Sequence, residues 1–445
     1  MSHQPAQKAQ PVEATPRRFL ALAVPIMLAH ITEPLLGLVD TTAIGRLNDV
    51  PMLGAVAIGA IFFDFIFWGL GALRPSTAGL TAQAVGAGSD REVSLTRYRA
   101  LTVAAALGFV LIILQGPLTD FALYLLGPSA EVDRSARIYI HIRIWAAPFA
   151  LANYAILGSL IGYGRTDLGL ILQVAINLIK ISLAILLVSI AGYGIAGAAI
   201  GTVIADGMGT LLGLYITARL GGFKGEIAIK EIFDSKALKR LFGVNIDIMI
   251  RTLALLTAFG FFTSESARRG DVTLAANQVL NILFLVAVYF LDGYATAGEQ
   301  LCGQSLGARD EIGFRKSVAL VLQFSLWTGL ALSLGLLGIG KDIIQAIAAN
   351  AEIRDYAGQY LIYAALTPLA GALAFAFDGI FIGSTWTKAM RNLMLLSLAL
   401  YFLIFASLGE MGNAGLWISI LSFLALRGIG QWLAFPALAR RAFSS

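Results

Sequence analysis

The chain has 445 residues, of which 58% are hydrophobic and only 13% are charged, and its mean hydropathy is +0.79. This balance excludes an ordinary soluble globular protein and predicts a polytopic membrane protein. The single cysteine, Cys302, excludes an internal disulfide, and His3, His30 and His141 lack the spacing of a metal site. The net charge of +5 fits the basic loops of a membrane protein better than a nucleic-acid partner.

A polar segment, 1–18, precedes the first long apolar stretch, which is too long for a signal-peptide core. We interpret this segment as a retained cytoplasmic tail. Apolar windows of roughly 20 residues, the length that crosses a bilayer, then predict twelve spans. The first six are expected at about 19–44, 51–75, 97–118, 137–161, 168–190 and 194–218. The second six are expected at about 238–262, 272–300, 317–338, 357–382, 390–408 and 413–437.

A long charged segment, 219–240, separates the two sets of six spans. Of the 32 lysines and arginines, 20 lie in the two tails or in loops after even-numbered spans, and 7 lie in the other loops. Basic residues favour the cytoplasmic side, so both termini are expected in the cytoplasm. The predicted parts are a tail at 1–18, an N-lobe at 19–218, a cytoplasmic linker at 219–237, a C-lobe at 238–440 and a C-terminal tail at 441–445.

The two halves of the chain resemble each other at one fixed offset. The stretch "GLTAQAVGAGSDRE" matches "QLCGQSLGARDEIG", which places Gln83 and Gln304 in equivalent positions 221 residues apart. The same offset pairs Gly158 with Gly379, far from this motif. Because each half has six spans, equivalent spans run in the same direction and the repeat is parallel. We therefore predict an all-α membrane protein of two six-helix bundles that face a central cavity.

Two carboxylic acids interrupt the first apolar span. A charged side chain at mid-bilayer costs about 2.5–3.5 kcal/mol on insertion scales, so acids at such positions are expected to have a functional or structural role. Glu33 and Asp40 are seven residues apart and share one helical face, about 10 Å apart along the axis. Pro25 and Pro34 lie in the same span and favour a bend. Burial raises a carboxyl pKa, so these acids can couple protonation to helix shape, although packing against a neighbouring helix is the alternative.

Neutral polar residues and one lysine lie in spans four to six. Asn153, Asn177 and Thr202 can build a hydrogen-bonding site around Asp40, although interhelical polar contacts are common in any bundle. Lys180 lies near the middle of span five, too deep to reach either interface easily, so it is expected to face protein or water.

Further acids lie in the C-lobe spans. Asp292 and Glu299 share a face of span eight, and Asp378 lies deep in span ten, so these three can line the C-lobe or serve packing. Asp247 and Arg251 are four residues apart, a spacing that predicts an ion pair on one helix.

The remaining in-span acids, Asp64 and Asp206, are interpreted as structural.

The absence of nucleotide-binding motifs narrows the class of protein. The chain has no GxxxxGK[ST] phosphate-binding motif, and its glycine-rich stretches lie within or beside spans, which argues against an ATP-driven pump.

Six stretches together resemble the DinF-like branch of the multidrug and toxic compound extrusion (MATE) family. They are "VPIMLAHITEPLLGLVDTTAIGRL", "LRPSTAGLTAQAVGA", "IRIWAAPFALANYAILGSLIG", "GAAIGTVIAD", "FLDGYATAGEQLCGQSLGARD" and "FDGIFIGSTWTKAMRN". The resemblance implies twelve helices, alternating access and efflux driven by protons or sodium. It also implies that Asp40 is the coupling carboxylate, that the first helix bends at Pro25, and that Asn153, Asn177 and Thr202 form the N-lobe polar set.

One position departs from the family pattern. Related proteins often carry an aspartate four residues after the span-five asparagine, whereas this chain has Ile181 there, beside Lys180. Sodium favours several oxygen ligands, so the loss of a carboxylate favours protons as the coupling ion.

We therefore expect a secondary-active exporter of amphipathic or cationic organic compounds, coupled to proton influx, in a bacterial cytoplasmic membrane. It is expected to be monomeric, with small organic substrates and the bilayer as partners, and without cofactor, metal or nucleic acid. The alternatives are a sodium-coupled exporter, a lipid-linked precursor flippase of similar twin-lobe fold, and an integral membrane enzyme acting on lipid phosphates. That enzyme would need clustered acidic, basic or histidine groups at the membrane surface, and none is evident.

Overall fold

The computed structural model describes residues 12–45, 50–221 and 227–444, with 31–45 and Val50 described as backbone only. All regular structure in these ranges is helical. The helices of the first half are α1 (Pro16–Gly45), α2 (Val50–Leu70), α3 (Leu73–Gly86), α4 (Asp90–Ile113), α5 (Gln115–Leu126), α6 (Ala130–Arg143), α7 (Ala147–Gly162), α8 (Thr166–Ala184) and α9 (Gly194–Arg219). Those of the second half are α10 (Ile229–Ile232), α11 (Ser235–Arg268), α12 (Asp271–Gly307), α13 (Glu311–Ile347), α14 (Ala351–Gly383), α15 (Thr387–Ser407) and α16 (Gly412–Ser444).

Eleven stretches of helix in the described ranges are long and apolar enough to cross a membrane. They coincide with predicted spans two to twelve, and the backbone of α1 contains the predicted first span. Three of these stretches join pairs of helices: α2 with α3, α6 with α7, and α10 with α11. The predicted all-α membrane architecture is therefore confirmed.

The third span ends earlier than its composition suggests. The apolar window extends to residue 118, but α4 ends at Ile113 and a separate helix, α5, begins at Gln115. Pro117 lies in the first turn of α5, where a missing backbone N–H costs no helical hydrogen bond. The same proline could not have continued α4 without breaking that helix.

The internal repeat is visible in backbone geometry. α3 and α12 both end in the repeated motif, where Ala87 N–H donates to Gln83 O and Ala308 N–H donates to Gln304 O, each at 2.9 Å. The chain then turns through a positive φ at Gly88 (66°) and, 221 residues later, at Arg309 (54°). The predicted parallel repeat is therefore confirmed at the level of individual hydrogen bonds.

Glycines at equivalent positions let two pairs of helices pack with their backbones in contact. In each half, two glycines one turn apart face backbone carbonyls of the neighbouring helix, and an added Cβ would collide with those oxygens. Small residues at such crossings are typical of membrane helix packing. The glycines and the residues whose carbonyls they meet are Gly158 with Arg74, Gly162 with Ala78, Gly379 with Ala295 and Gly383 with Glu299.

The chain divides into two compact units. Among the described residues, one unit contains 28–245 and the other contains 12–27 together with 246–444. The chain therefore passes from one unit to the other twice within a helix, between Met27 and Leu28 in α1 and between Asn245 and Ile246 in α11. Each unit has its own apolar core, which includes Leu73 and Ala155 in the first and Phe262 and Trp417 in the second.

Candidate functional site

The N-lobe polar group lies where α7, α8 and α9 meet. Lys180 on α8 pairs with Asp206 on α9, with 2.9 Å between Nζ and Oδ1. The two side chains are 20% and 8% exposed, so the pair is largely withdrawn from solvent. Each charge thus has a counter-charge inside the span, which is the condition for keeping either one buried. The ion pair supplies the partner of Lys180, which the sequence did not reveal.

Asn153 joins this group through both ends of its amide. Its Nδ2 donates to the backbone oxygen of Asp206 at 3.1 Å, and its Oδ1 accepts from the Thr210 hydroxyl at 3.1 Å. Asn177, on α8, is also buried. The Thr202 hydroxyl donates to the backbone oxygen of Ala198 at 3.1 Å, within its own helix.

Glycines on α9 bring these polar side chains within reach of one another. A Cβ on Gly209 would collide with the Ile176 side chain of α8 and would lie 3.3 Å from the Asn153 amide nitrogen. The close approach lets short side chains such as those of asparagine and threonine bridge the helices. Thr210, directly after Gly209, belongs to the group, although the sequence analysis did not identify it.

The predicted coupling acids lie on a helix whose backbone alone is described at that point. Asp40 and Glu33 are in α1, and their side chains lie outside the described part of the structure. α1 is continuous through Pro25 and Pro34. Pro25 lies next to the point, after Met27, where α1 passes from one unit to the other.

The C-lobe contains a buried group of charges centred on Asp378 of α14. Its Oδ2 accepts from Arg427 Nη2 at 2.6 Å and also pairs with Arg251, and its Oδ1 accepts from Gln431 Nε2 at 2.8 Å. Asp378 and Arg427 are 4% and 1% exposed. Three helices, α11, α14 and α16, thus converge on one carboxylate.

The predicted ion pair between Asp247 and Arg251 is wrong. Asp247 Oδ1 accepts from Arg391 Nη1 at 2.6 Å and Oδ2 accepts from the Thr387 hydroxyl at 3.1 Å, whereas Arg251 pairs with Asp378. Spacing along one helix permits contact but does not decide it. Here α14 and α15 present better-placed partners, and each charge takes a partner on a neighbouring helix.

The Asp378 group carries more positive than negative charge. Two guanidinium groups meet one carboxylate, and Arg427 Nε and Nη1 are buried without a hydrogen-bond partner among the described residues. The Arg427 guanidinium lies 5.5 Å from the centre of the Phe375 ring, which offers it a π face. Asp378 is therefore fully engaged, and a cation that bound there would have to displace an arginine.

Asp292 and Glu299 both lie on α12, half-buried and buried respectively. The repeat-motif residues accept hydrogen bonds from arginines: Gln83 from Arg240 and Gln304 from Arg18.

Arg97 was not identified as a candidate by the sequence analysis. It is 1% exposed on α4 and donates from Nε to the Ser159 hydroxyl at 2.9 Å. Its position at the first residue of the predicted third span was the available signal. Within the described ranges no group of three histidine, cysteine, aspartate or glutamate side chains could hold a metal ion.

A helical membrane protein with a parallel six-span repeat, and with buried charges paired between spans, has the build of a secondary transporter. A MatE family model matches residues 25–186 and 248–408, most of both halves. The chain belongs to this family, the MATE transporters, and is therefore a multi-pass membrane efflux transporter and not an enzyme.

Individual relatives match this chain over nearly its whole length. DNA damage-inducible protein F of Escherichia coli K12 is 38% identical over 419 residues, which cover 92% of this chain and 89% of that protein. A probable multidrug resistance protein NorM of Bradyrhizobium diazoefficiens is 26% identical over 461 residues, covering 96% of this chain and 92% of that protein. A crystal structure of MATE in the bent conformation matches with a TM-score of 0.87 at 17% identity, covering 98% of this chain and 100% of that one.

Proposed function

We propose that this transporter exports amphipathic or cationic organic compounds across a bacterial cytoplasmic membrane in exchange for protons. Asp40 is the proton-carrying group, and Glu33, on the same face of α1, relays protons to it. Pro25 and Pro34 let α1 bend as Asp40 changes charge. Both termini lie in the cytoplasm, and the transporter works as a monomer.

The ion pair between Lys180 and Asp206 is the observation that carries the choice of ion. An ammonium group 2.9 Å from the carboxylate already neutralises it and repels a second cation. Sodium binding needs several free oxygen ligands, whereas a proton needs one basic oxygen. In the C-lobe, Asp378 is likewise engaged, by Arg251 and Arg427. These pairings occupy Asp206 and Asp378, which supports the choice of Asp40 as the coupling acid.

Proteoliposomes with separately imposed gradients test the coupling ion. We expect a proton gradient to drive export, and an inward sodium gradient at equal pH with the membrane potential clamped to drive none. Asp40→Asn should abolish the proton-driven export, and Asp167→Asn, an exposed acid paired with Arg165, should retain it. Export driven by sodium, and lost when potassium replaces sodium, would show that proton coupling is the wrong assignment.

A flippase for lipid-linked precursors is the second candidate. The observation in its favour is the excess positive charge of the Asp378 group, since Arg251 and Arg427 can attract a phosphate. Glu33 and Asp40 in the other lobe would repel one, so this candidate ranks second. Export of a lipophilic cation such as ethidium by the purified transporter separates the two candidates.

A further inference from the structure

A polar cavity of about 690 Å³ lies between the end of α13 and the start of α14, within the second unit. Within the described residues, none of its five polar side chains makes a hydrogen bond or an ion pair. The cavity therefore presents polar groups to a ligand and not to the protein. These five residues are Lys341, Gln345, Arg354, Asp355 and Gln359, and Ile344 and Gly358 complete the lining.

The internal repeat provides a counterpart of this cavity in the first half of the chain. The offset of 221 residues holds through this region, because at that offset α5 and α13 end and α6 and α14 begin. Three lining positions differ sharply in charge from their counterparts. The equivalent pairs are Asp120 with Lys341, Asp133 with Arg354 and Arg137 with Gly358.

In the first half, these positions form a closed ion triad. Arg137 Nε donates to Asp133 Oδ2 at 2.8 Å, and its Nη1 donates to Asp120 Oδ1. One cation thus bridges two acids and joins the end of α5 to the start of α6.

In the second half, the signs of the outer charges are inverted and the bridging side chain is missing. Lys341 and Arg354 replace the two acids, and Gly358 replaces the bridging arginine. A Cβ on Gly358 would meet no atom within 4 Å, so the place of the bridge is open space. The group that fits between two cations is an anion, and a phosphate suits both lysine and arginine.

One acid also lines the cavity. Asp355 carries a negative charge there, whereas the other acids of this stretch, Asp342 and Glu352, lie outside the lining. A ligand that satisfies all three lining charges therefore carries an ammonium group as well as a phosphate.

The cavity lies at the depth of the lipid headgroups. The predicted spans end at about 338 in α13 and begin at about 357 in α14, so Lys341 and Arg354 each lie three residues outside them, about 5 Å along the helix axis. The hydrocarbon core is about 30 Å thick and the whole bilayer about 40–45 Å, which leaves headgroup layers of roughly 5–8 Å.

Exposed apolar side chains continue from the cavity into the span region of both helices. On each helix they share the face of the lining residues, at spacings of three and four residues. Such stripes can contact acyl chains. They consist of Leu334 and Leu337 below Lys341 on α13, and of Ile362 and Leu366 below Gln359 on α14.

We propose that this cavity binds the headgroup of a phospholipid that carries both a phosphate and an ammonium group, as phosphatidylethanolamine does. The phosphate bridges Lys341 and Arg354, Asp355 receives the ammonium group, and the acyl chains follow the two apolar stripes. The lipid thus joins α13 to α14 where the first half uses Arg137. This site is independent of the coupling ion and of the exported substrate.

Native mass spectrometry of the purified protein, with phosphatidylethanolamine and phosphatidylglycerol of the same acyl chains, tests the headgroup assignment. The wild-type protein should bind phosphatidylethanolamine about two- to fivefold more tightly, the value of one exposed ion pair. Asp355→Asn should remove this preference, and Lys341→Gln and Arg354→Gln should each weaken binding of both lipids by a similar factor. Lys316→Gln, at the opposite end of α13, is the control and should change neither.

A carboxylate supplied by the protein tests the bridge. Gly358→Glu should displace the lipid and pair with Lys341 and Arg354, so in lipid-free detergent it should melt at a higher temperature than Gly358→Gln, which has the same size and no charge. Lys341→Gln in the same chain should reduce that difference. Gly335→Glu and Gly335→Gln, in open space on α13 outside the lining, should melt alike.

The headgroup without chains separates a lipid from a soluble phosphate compound. O-phosphoethanolamine at the same concentration should fail to displace phosphatidylethanolamine, because it lacks the acyl contacts. Binding as tight as that of the lipid would assign the cavity to a soluble ligand and overturn the lipid proposal. Lipid binding that is the same in the wild-type protein, the charge variants and Gly358→Glu would overturn the site itself.

Discussion

Most of the buried charges described inside the spans have a partner on another helix. Lys180 pairs with Asp206, Arg391 with Asp247, and Asp378 takes two arginines. Such pairs add little net stability, because desolvation of both charges offsets their attraction, but removal of one partner leaves the other uncompensated. The stability lost on substitution at these positions therefore depends on whether a buried charge is left without its partner.

Asp378→Asn should be among the most destabilising conservative substitutions in the chain. It leaves Arg251 and Arg427 without the carboxylate that holds them, and loss of one partner of a buried pair typically costs about 3–5 kcal/mol. Thermal unfolding of the purified protein in detergent would measure the effect. Asp167→Asn removes an exposed ion pair and should cost less than about 1 kcal/mol. Equal melting temperatures for the two variants would contradict the role given to Asp378.

Lys180 and Asp206 should be strongly coupled in a double-mutant cycle. Lys180→Met leaves a buried carboxylate and Asp206→Asn leaves a buried ammonium, whereas the double substitution leaves neither charge. We expect the double variant to be more stable than the sum of the single effects predicts, with a coupling energy of about 0.5–3 kcal/mol. Additive losses would mean that the two groups do not stabilise each other.

At the scale of helices, glycines hold two helix pairs together by letting their backbones come into contact. α3 packs on α7, and α12 on α14, with a glycine backbone against a carbonyl in each pair. The gain is close van der Waals packing, the main attraction between helices in lipid.

Gly158→Ala and Gly379→Ala should therefore reverse the usual sign of a glycine-to-alanine change. In a free helix this change stabilises by about 1 kcal/mol, but here the new methyl group meets a carbonyl oxygen and the helices must separate. We expect each variant to lose about 1–3 kcal/mol, the usual range for overpacking. Gly335→Ala in α13 meets nothing within 4 Å and should be neutral or stabilising. Denaturant unfolding would compare the three variants, and a loss at Gly335 equal to the others would contradict the packing argument.

At the scale of the whole molecule, the even number of spans between the N-terminal tail and the linker makes one topological requirement. The tail before Arg18 and the linker before Arg240 must lie on the same side of the membrane, since six spans separate them. The excess of basic residues on that side predicts the cytoplasm. We expect a green fluorescent protein fused after Ser445 to fluoresce and alkaline phosphatase fused at the same position to be inactive in a bacterial host. Active phosphatase would place the C-terminus on the outer side and contradict the expected topology.

The sequence predicted the spans and the repeat because both depend on local composition and spacing. It did not predict which charges meet. Asp247 and Arg251 are close along α11, but the partner that Asp247 takes, Arg391, lies 144 residues away. Spacing along a single helix carries no information on the angle at which α15 crosses α11, and that angle decides the pairing. Arg97 was missed for the same reason, because its partner Ser159 comes from α7.

The turns after α3 and α7 recur in the second half after α12 and α14, with different residues. The first half places Gly88 and Gly164 at positive φ, where glycine is at ease, and the second half places Arg309 and Thr385 at the equivalent sites with φ of 54° and 56°. A duplicated ancestor would explain why the same path is drawn twice with different residues. Because a β-branched threonine rarely adopts this conformation, the fold around it must now impose the shape. The two halves thus follow the same backbone path at these turns although only the first half has glycine there, so in the second half the surrounding packing must hold a conformation that the local residue disfavours.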